Sequence, residues 1–86
     1  MEVYRTKKFR KAFKKLNKKQ KNQAQLAIEK FINDPFDPVL RNHALKGRMK
    51  GQRAFSAAND LRIIYREEKD HIVVIMLDVG KHAQVY

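Results

Sequence analysis

The spacing of apolar residues changes once along this chain of 86 residues, and that change is the strongest constraint on its fold. In the first third of the chain, apolar residues follow the i, i+3, i+4, i+7 spacing of amphipathic helices. From Arg53 onward they alternate with polar residues or form short apolar runs, as strands do. A chain this short builds one hydrophobic core, so we expect the helices to pack on the sheet. The first helical stripe consists of Phe9, Ala12, Phe13 and Leu16.

The first 34 residues predict one strand and two helices. Residues 2–5 alternate polar and apolar side chains, which favours a short strand. Thr6 is a good N-cap for the first helix, and Asn17 can end that helix. The second helix should stop near Asn33, because Pro35 disfavours a helical conformation at the residue before it. So short a link predicts an antiparallel helical hairpin. Its apolar floor would consist of Phe9, Phe13, Leu16, Ile28 and Phe31.

The second half predicts a loop followed by a meander of three strands. Residues 33–52 contain both prolines and two of the three glycines, so we expect an ordered loop with one short helical turn. The turns of the meander are expected at 58–60 and 67–70. The fold class is therefore α+β, a single domain over residues 1–86 with an N-terminal strand and a helical hairpin packed on a mostly antiparallel sheet. The strands are predicted at residues 53–57, 61–66 and 71–78.

The net charge points to a polyanion or to a strongly acidic protein as partner. Twenty Lys and Arg residues against nine Asp and Glu residues give a net charge of +11. A charge of this size on a small domain is an electrostatic footprint for such ligands. The lysine-rich first helix is a candidate for polyanion binding, although such a helix can also be a simple solvated face. Its candidate residues are Lys7, Lys11, Lys14 and Lys15.

Composition and motifs exclude several other classes. The chain has no cysteine, hence no disulfide and no thiolate metal site. The three histidines lack metal-ligand spacing, and no phosphate-binding loop or dinucleotide fingerprint occurs. We therefore expect no metal and no cofactor. The N-terminus lacks the apolar run of a signal peptide, and the longest apolar run, at 72–77, is too short for a membrane span. We expect a soluble, cytoplasmic protein.

Polar residues at the edges of the predicted meander are the candidates for chemistry. His43 lies in the long loop among basic residues, and Arg53 opens the first strand of the meander. Arg62 interrupts an otherwise apolar strand, where a charge needs a role or a partner. His82 follows the third strand, and Tyr86 ends the chain. We expect these five residues to converge on one edge and one face of the sheet.

Several of these residues also have a purely structural explanation. Arg62 could form an ion pair with Asp60 or with Asp78. Tyr86 could pack its ring on the sheet and do nothing more, and His43 could be a loop histidine without a task. These alternatives stay open at the level of single residues.

Taken together, the residues from position 43 onward resemble the RelE/ParE superfamily of bacterial toxins. Within it they are most similar to the YafQ-like and RelE-like messenger-RNA interferases of type II toxin–antitoxin modules. This resemblance implies a RelE-like fold, an endoribonuclease that needs no cofactor, and three partners, namely a cognate antitoxin, messenger RNA and the ribosome. The matching features are His-Ala-Leu-Lys-Gly at 43–47, Lys50-Gly51, Arg53, Asp60, Leu61-Arg62-Ile63-Ile64-Tyr65, Gly80-Lys81-His82 and Tyr86.

The resemblance also implies roles for individual residues. Arg53 and Arg62 match basic residues that bind or polarise phosphate. The chain departs from the YafQ-like pattern at Ser56, Leu61 and Asp78, where a histidine, a tryptophan and an arginine are expected. Catalytic roles are implied for His43, Asp60, Arg62, His82 and Tyr86. We assign RNA or phosphate binding to Lys46, Lys50, Arg53 and Lys81.

Two residues near the C-terminus, Gly80 and Tyr86, have expected roles of their own. Gly80 would permit a sharp exit from the third strand, and Tyr86 would offer a ring for base stacking and a hydroxyl group.

The main alternative to the nuclease is a ParE-like inhibitor of DNA gyrase with the same fold, and the other is a non-catalytic nucleic-acid-binding module. His43 and His82 favour the nuclease, because a binding protein has no need of two titratable groups there.

Overall fold

Two long helices cover one face of a five-stranded sheet, and a short C-terminal helix lies on the other face. The structure is a computed structural model that describes residues 1–86. This architecture confirms the α+β fold class. Short 3-10 turns occur at Pro38–Leu40 and Gly47–Met49. The elements are β1 (Glu2–Arg5), α1 (Lys7–Lys14), α2 (Lys18–Asn33), β2 (His43–Ala44), β3 (Arg53–Ala58), β4 (Leu61–Glu68), β5 (Val73–Gly80) and α3 (His82–Val85).

The sheet is mostly antiparallel, as predicted. Its strand order is β1-β5-β4-β3-β2. Only β1 and β5 run parallel, with Val3 opposite Val74, while the three other pairs are antiparallel. The hairpin of α1 and α2 leads from β1 at one edge towards β2 at the other. It crosses one face on the way, with α1 over β5 and α2 over β3.

Capping residues start both long helices: Thr6 caps α1 as predicted, whereas Asn17 caps α2 and does not end α1, which stops at Lys14. The Thr6 hydroxyl accepts a hydrogen bond from the Phe9 N–H at 3.0 Å, which starts α1. Asn17 and Gln20 form a reciprocal capping box at the start of α2, with bonds of 2.8 and 3.1 Å. α2 ends at Asn33, as the downstream proline predicts. None of the helices combines the length and the apolar character that crossing a membrane requires.

Strand alternation divides the apolar side chains between the two faces of the sheet. On the helix face, Phe31 from α2 stacks on Phe55 with ring centroids 4.6 Å apart and meets Tyr65 edge-on at 4.9 Å. On the opposite face, Ala54 and Ile64 pack with Val85 of α3 in a second, smaller cluster. β4 is thus buried on both sides, and the opposite face is where the C-terminal segment docks.

The meander differs from the predicted boundaries at the turn between β4 and β5. β5 runs over Val73–Gly80 rather than 71–78, and β4 continues to Glu68. The reason is local, since Lys69, Asp70 and His71 have φ values of 51°, 55° and 71°. A left-handed backbone cannot continue the strand ladder, so the turn occupies residues that the alternation pattern assigned to β5.

The long loop contains more structure than the sequence predicts. It holds two 3-10 turns and the two-residue strand β2, whose His43 lies opposite Ala54 of β3. We expected one helical turn and no strand. β3 also extends one residue further, to Ala58, with a register shift between Ser56 and Ala58. The pairing of β2 fixes the loop beside the face that carries α3.

The capping box at Asn17 gives a test of the helical hairpin. Asn17→Ala removes the bond that the Asn17 side chain accepts from the Gln20 N–H and should lower the free energy of unfolding by about 1 kcal/mol. For a domain of this size that corresponds to a fall in Tm of about 4–8 °C. Asn22→Ala, at an exposed position within α2, is the matched control and should leave Tm unchanged or slightly raised. Equal melting behaviour of the two variants would contradict the capping assignment.

Candidate active site

The short helix α3 and Tyr86 directly after it bring two of the predicted catalytic residues onto the face opposite α1 and α2. α3 has four residues, His82–Val85, and Val85 anchors it against Ala54 and Ile64. Asp60, in the turn between β3 and β4, accepts a hydrogen bond from the backbone N–H of His82 at 3.3 Å. The Asp60 carboxylate therefore contacts the start of α3 through the backbone of His82 rather than its ring.

Gly80 is required for a different reason from the one predicted. Its φ lies outside the left-handed region, so it is not a glycine-dependent exit from β5. A Cβ atom at this position would lie 3.1 Å from Oε1 of Gln84 and 3.2 Å from a methyl carbon of Val85. The absence of a side chain lets α3 lie close against the end of β5, and this sets the position of His82.

Tyr86 is the residue around which the site is organised. Its ring meets the His82 ring edge-on, with centroids 4.3 Å apart and an interplanar angle of 85°. The ring also packs against the second cluster, as the structural alternative proposed, but the hydroxyl is buried without any hydrogen-bond partner. Burial raises the pKa of the Tyr86 hydroxyl, and the nearby positive charge of Arg62 partly opposes that rise. The hydroxyl is therefore protonated at neutral pH.

A shallow depression joins Tyr86 to the basic loop. Its volume is about 260 Å³, and its polar lining residues are His43, Lys46, Arg48 and Tyr86. Nδ1 of His43 lies 2.9 Å from the carbonyl oxygen of Arg41. A carbonyl can only accept, so Nδ1 carries a proton and Nε2 is the nitrogen that remains available. Arg48 was not among the predicted binding residues; its position between Lys46 and Lys50 in the basic loop was the available signal.

Arg62 forms neither of the ion pairs that we considered for it. Its Nη1 donates instead to three carbonyl oxygens of the turn between β3 and β4, while Nε and Nη2 have no protein partner. The guanidinium group is thus held at one nitrogen and open at the other two. An arginine held in this way can present a planar pair of donors to an oxyanion. The acceptors are the carbonyls of Ala58, Asn59 and Leu61, at 2.9, 3.2 and 3.3 Å.

Arg53 does not join this group, and the predicted convergence of all five residues on one face is wrong in this respect. Its Nε donates to Oδ1 of Asn42 at 3.1 Å and to the hydroxyl of Tyr65 at 3.2 Å, on the helix face. Its guanidinium also lies 5.8 Å from the ring centroid of Phe36. The sequence could have predicted this position, because alternation along β3 places Arg53 on the same face as the core residue Phe55.

The three departures from the family pattern have separate structural consequences. The Ser56 hydroxyl donates to the Ala58 carbonyl at 3.0 Å, which is also a partner of Arg62. Leu61 is buried at 2% exposure in the main core. Asp78 forms an ion pair with Lys8, with 3.4 Å between Nζ and Oδ2. Ser56 therefore contacts a bonding partner of Arg62 through its side chain, and Leu61 is itself such a partner through its backbone carbonyl.

The remaining predicted lysines are spread over the surface. Lys46 lines the depression beside Tyr86. Lys50 and Lys81 do not line it, and both are exposed. Lys14 is exposed at the last turn of α1. A separate cleft is lined by Lys7, Lys11, Lys15 and Lys81.

Comparison with known proteins places the chain among bacterial toxins. The sequence model of one family, described as "Bacterial toxin of type II toxin-antitoxin system, YafQ", matches residues 1–86. None of the curated proteins matches the chain.

Known structures share the fold at low sequence identity. YafQ from E. coli strain BL21(DE3) is 22% identical, with a TM-score of 0.82 over 99% of this chain and 97% of that chain. In the E. coli DinJ-YafQ toxin-antitoxin complex the values are 22%, 0.78, 99% and 96%. A conserved hypothetical protein from Helicobacter pylori is 26% identical, with a TM-score of 0.76 over 100% and 99% of the two chains. These likenesses confirm the RelE-like fold.

Tyr86 and Tyr65 give a test of the unpartnered hydroxyl. Tyr86→Phe removes a buried hydroxyl that makes no hydrogen bond, so the Tm should stay equal to that of the parent or rise. Tyr65→Phe is the matched control, because its hydroxyl donates to Asn42 at 2.9 Å and accepts from Arg53. Its loss should lower the free energy of unfolding by about 1–2 kcal/mol. The measurement is the Tm of both variants in thermal melts. A clear fall in Tm for Tyr86→Phe would show that its hydroxyl has a partner.

Proposed function

The chain belongs to the YafQ family of bacterial toxins from type II toxin–antitoxin systems, and we propose that it is an endoribonuclease that cleaves messenger RNA. Family membership confirms the resemblance seen in the sequence. The observation that carries the nuclease proposal is the grouping around Tyr86. Tyr86 and His43 line one surface depression, His82 meets the Tyr86 ring edge-on, and the partly free arginine Arg62 lies on the neighbouring strand β4.

Cleavage by the neighbouring 2′-hydroxyl of RNA suits this set of groups. A base removes the 2′-hydroxyl proton, the 2′ oxygen forms a bond to phosphorus, and the bond from phosphorus to the 5′ oxygen breaks. An acid then protonates the departing 5′ oxygen. The products are a 2′,3′-cyclic phosphate and a 5′-hydroxyl end. The reaction needs a base, an acid and stabilisation of negative charge at phosphorus.

Arg62 is the proposed stabiliser of that charge. Anchoring through Nη1 fixes the guanidinium plane before substrate binds, and Nε and Nη2 are left to donate to phosphate oxygens. A donor that is already oriented needs no reorganisation during the reaction, which is the main source of electrostatic stabilisation in enzymes. The structural alternative was that a carboxylate neutralises Arg62, but none of the ion pairs in the structure includes Arg62.

The proton-transfer roles fall to His43 and His82. Histidine is the side chain best suited to exchange protons near neutral pH. Burial raises the pKa of the Tyr86 hydroxyl, so Tyr86 acts as a hydrogen-bond donor and not as the base. Asp60 is a positioning residue in this scheme, because its carboxylate holds the backbone of His82.

The basic residues around the site would hold the RNA. We propose that the lysines at the depression and beside α3 contact phosphates near the cleavage point, while those of α1 hold a more distant part of a polyanion such as ribosomal RNA. Arg53 is left out of this surface, since its guanidinium is engaged on the helix face. The first group is Lys46, Lys50 and Lys81, and the second is Lys7, Lys11, Lys14 and Lys15.

A cognate antitoxin and the translating ribosome are the proposed partners. E. coli YafQ, which shares the fold, has a structure in complex with the antitoxin DinJ. The net charge of +11 supports an acidic or polyanionic partner. Acting on messenger RNA would place the protein in the cytoplasm.

Substitutions at His82 and Arg62 test the proposed chemistry. His82→Ala removes a proton-transfer group and should slow single-turnover RNA cleavage by about 10²–10⁴-fold, with a changed pH–rate profile. Arg62→Ala should raise the barrier by about 3 kcal/mol through lost charge stabilisation. His71→Ala is the matched control, because His71 is exposed at the other end of β5 and pairs with Glu67 at 2.8 Å. Thermal melts separate lost folding from lost chemistry. Near-parental rates in both variants would favour the gyrase inhibitor.

Chelation gives a second, independent test. No group of three His, Asp or Glu side chains that could hold a metal ion is present. We therefore expect cleavage to survive EDTA and to leave a 2′,3′-cyclic phosphate, measured on RNA with and without ribosomes. Activity that disappears on chelation and returns with Mg²⁺ or Zn²⁺ would contradict the mechanism.

A further inference from the structure

A second basic cavity borders α3 on a side distinct from the candidate active site. It is a cleft of about 880 Å³ between α1 and the segment from Asp78 to Val85. Gln84 and Val85 line this cleft, whereas Tyr86 lines the depression beside His43. The C-terminal segment therefore borders two basic cavities, one lined by residues of α3 and the other by Tyr86 directly after it.

The cleft contains a large excess of positive charge. Five lysines and one carboxylate line it, which leaves a formal charge of +4 (5 − 1). Only one of the five ammonium groups has an ionic partner in the protein, namely Lys8. Like charges this close repel one another, and a bound polyanion would relieve that repulsion. The lysines are Lys7, Lys8, Lys11, Lys15 and Lys81.

Asp78 is the exception in this basic lining, and it is held in place. Its Oδ1 accepts a hydrogen bond from the N–H of Val79 at 2.9 Å, and its Oδ2 lies 3.4 Å from Nζ of Lys8. The Asp78 side chain is 16% exposed and that of Lys8 is 77% exposed. The carboxylate is thus the fixed partner and the ammonium the mobile one. One of the five lysines is neutralised by a group that cannot move away.

We propose that this cleft binds the backbone of single-stranded RNA and that Asp78 lowers its affinity by neutralising Lys8 and repelling phosphate. The inference rests on the proposed function, because the strand held here would continue from the candidate active site across α3. Lysine ammonium groups are suited to phosphate as point charges. The lining has no aromatic side chain that could anchor a protein partner, and its apolar members are few and mostly small, which favours RNA over an acidic protein.

Binding of a short 2′-O-methyl oligonucleotide, measured by fluorescence anisotropy over a range of salt concentrations, tests the proposal. Asp78→Asn keeps the Oδ1 acceptor for Val79 but removes the charge. It should tighten binding about 5-fold near 0.1 M salt and steepen the logarithmic salt slope by about 0.7, the value for one further phosphate contact. Glu68→Gln is the matched control, because Glu68 is an ion-paired carboxylate outside the cleft, 3.0 Å from Arg66. It should change the affinity less than 2-fold.

A double variant identifies Lys8 as the residue that Asp78 restrains. Lys8→Gln alone should weaken binding, because it leaves the Asp78 carboxylate without its partner, and combined with Asp78→Asn it should return the affinity to about that of the parent. No gain in Asp78→Asn, or an equal gain in Glu68→Gln, would overturn the proposal. It would also be overturned if an acidic peptide of matched charge bound as tightly with the same response to Asp78→Asn, since the cleft would then be a protein site.

A further pair of variants keeps the proposal testable if Asp78→Asn fails to fold. Lys15 lines the cleft, while Lys19 is an exposed lysine of α2 outside it. Lys15→Gln should weaken oligonucleotide binding about 5-fold, and Lys19→Gln by less than 2-fold. Equal losses would show that only overall charge matters, and the cleft would be rejected. The 2′-O-methyl strand has no attacking hydroxyl, so a failure of this test is distinct from a failure of the nuclease mechanism.

Discussion

The burial of β4 on both faces is the constraint on which the rest of the structure depends. Ile63 and Tyr65 are buried on the side of the long helices, and Ile64 is buried on the other side, each at 1% exposure or less. The first side needs the hairpin of α1 and α2 as a cover. The second side needs Val85, and so the chain must return across the sheet after β5. The same return brings Tyr86 to Arg62, and scaffold and candidate site are therefore built by one strand.

The position of α3 follows from its neighbours rather than from its own stability. A helix of four residues is far below the length that is stable alone in water. It is placed by the side-chain-free surface at Gly80, by the buried Val85 and by the carboxylate of Asp60 at its start. These three contacts set the position of His82. A change at any of these contacts would therefore alter the site through the position of α3.

Sequence patterns predicted the elements well where one residue type determines the backbone. Thr6 and Pro35 predicted the start of α1 and the end of α2, and period-two alternation predicted the strands of the meander. The turn at 69–71 was misplaced, because three non-glycine residues in left-handed conformations carry no signal in composition. β2 was missed because two residues are too few for periodicity. The site was predicted in part: strand parity would have separated Arg53 from Arg62, whereas the free nitrogens of Arg62 depend on turn geometry.

The distribution of arginine and lysine separates two tasks that a basic surface can perform. Arg62 is held by three carbonyl oxygens, so its charge is oriented before any ligand arrives. The lysines of the cleft are long, flexible and almost all without partners, so they suit a backbone whose position varies. Rigid donors stabilise a transition state, because they lose little on reorganisation. Mobile ammonium groups give affinity that salt can screen. Lysine also lines the depression beside Tyr86, so the two kinds of charge differ less in place than in anchoring, since Arg62 is held by the protein and the lysines of the cleft other than Lys8 are not.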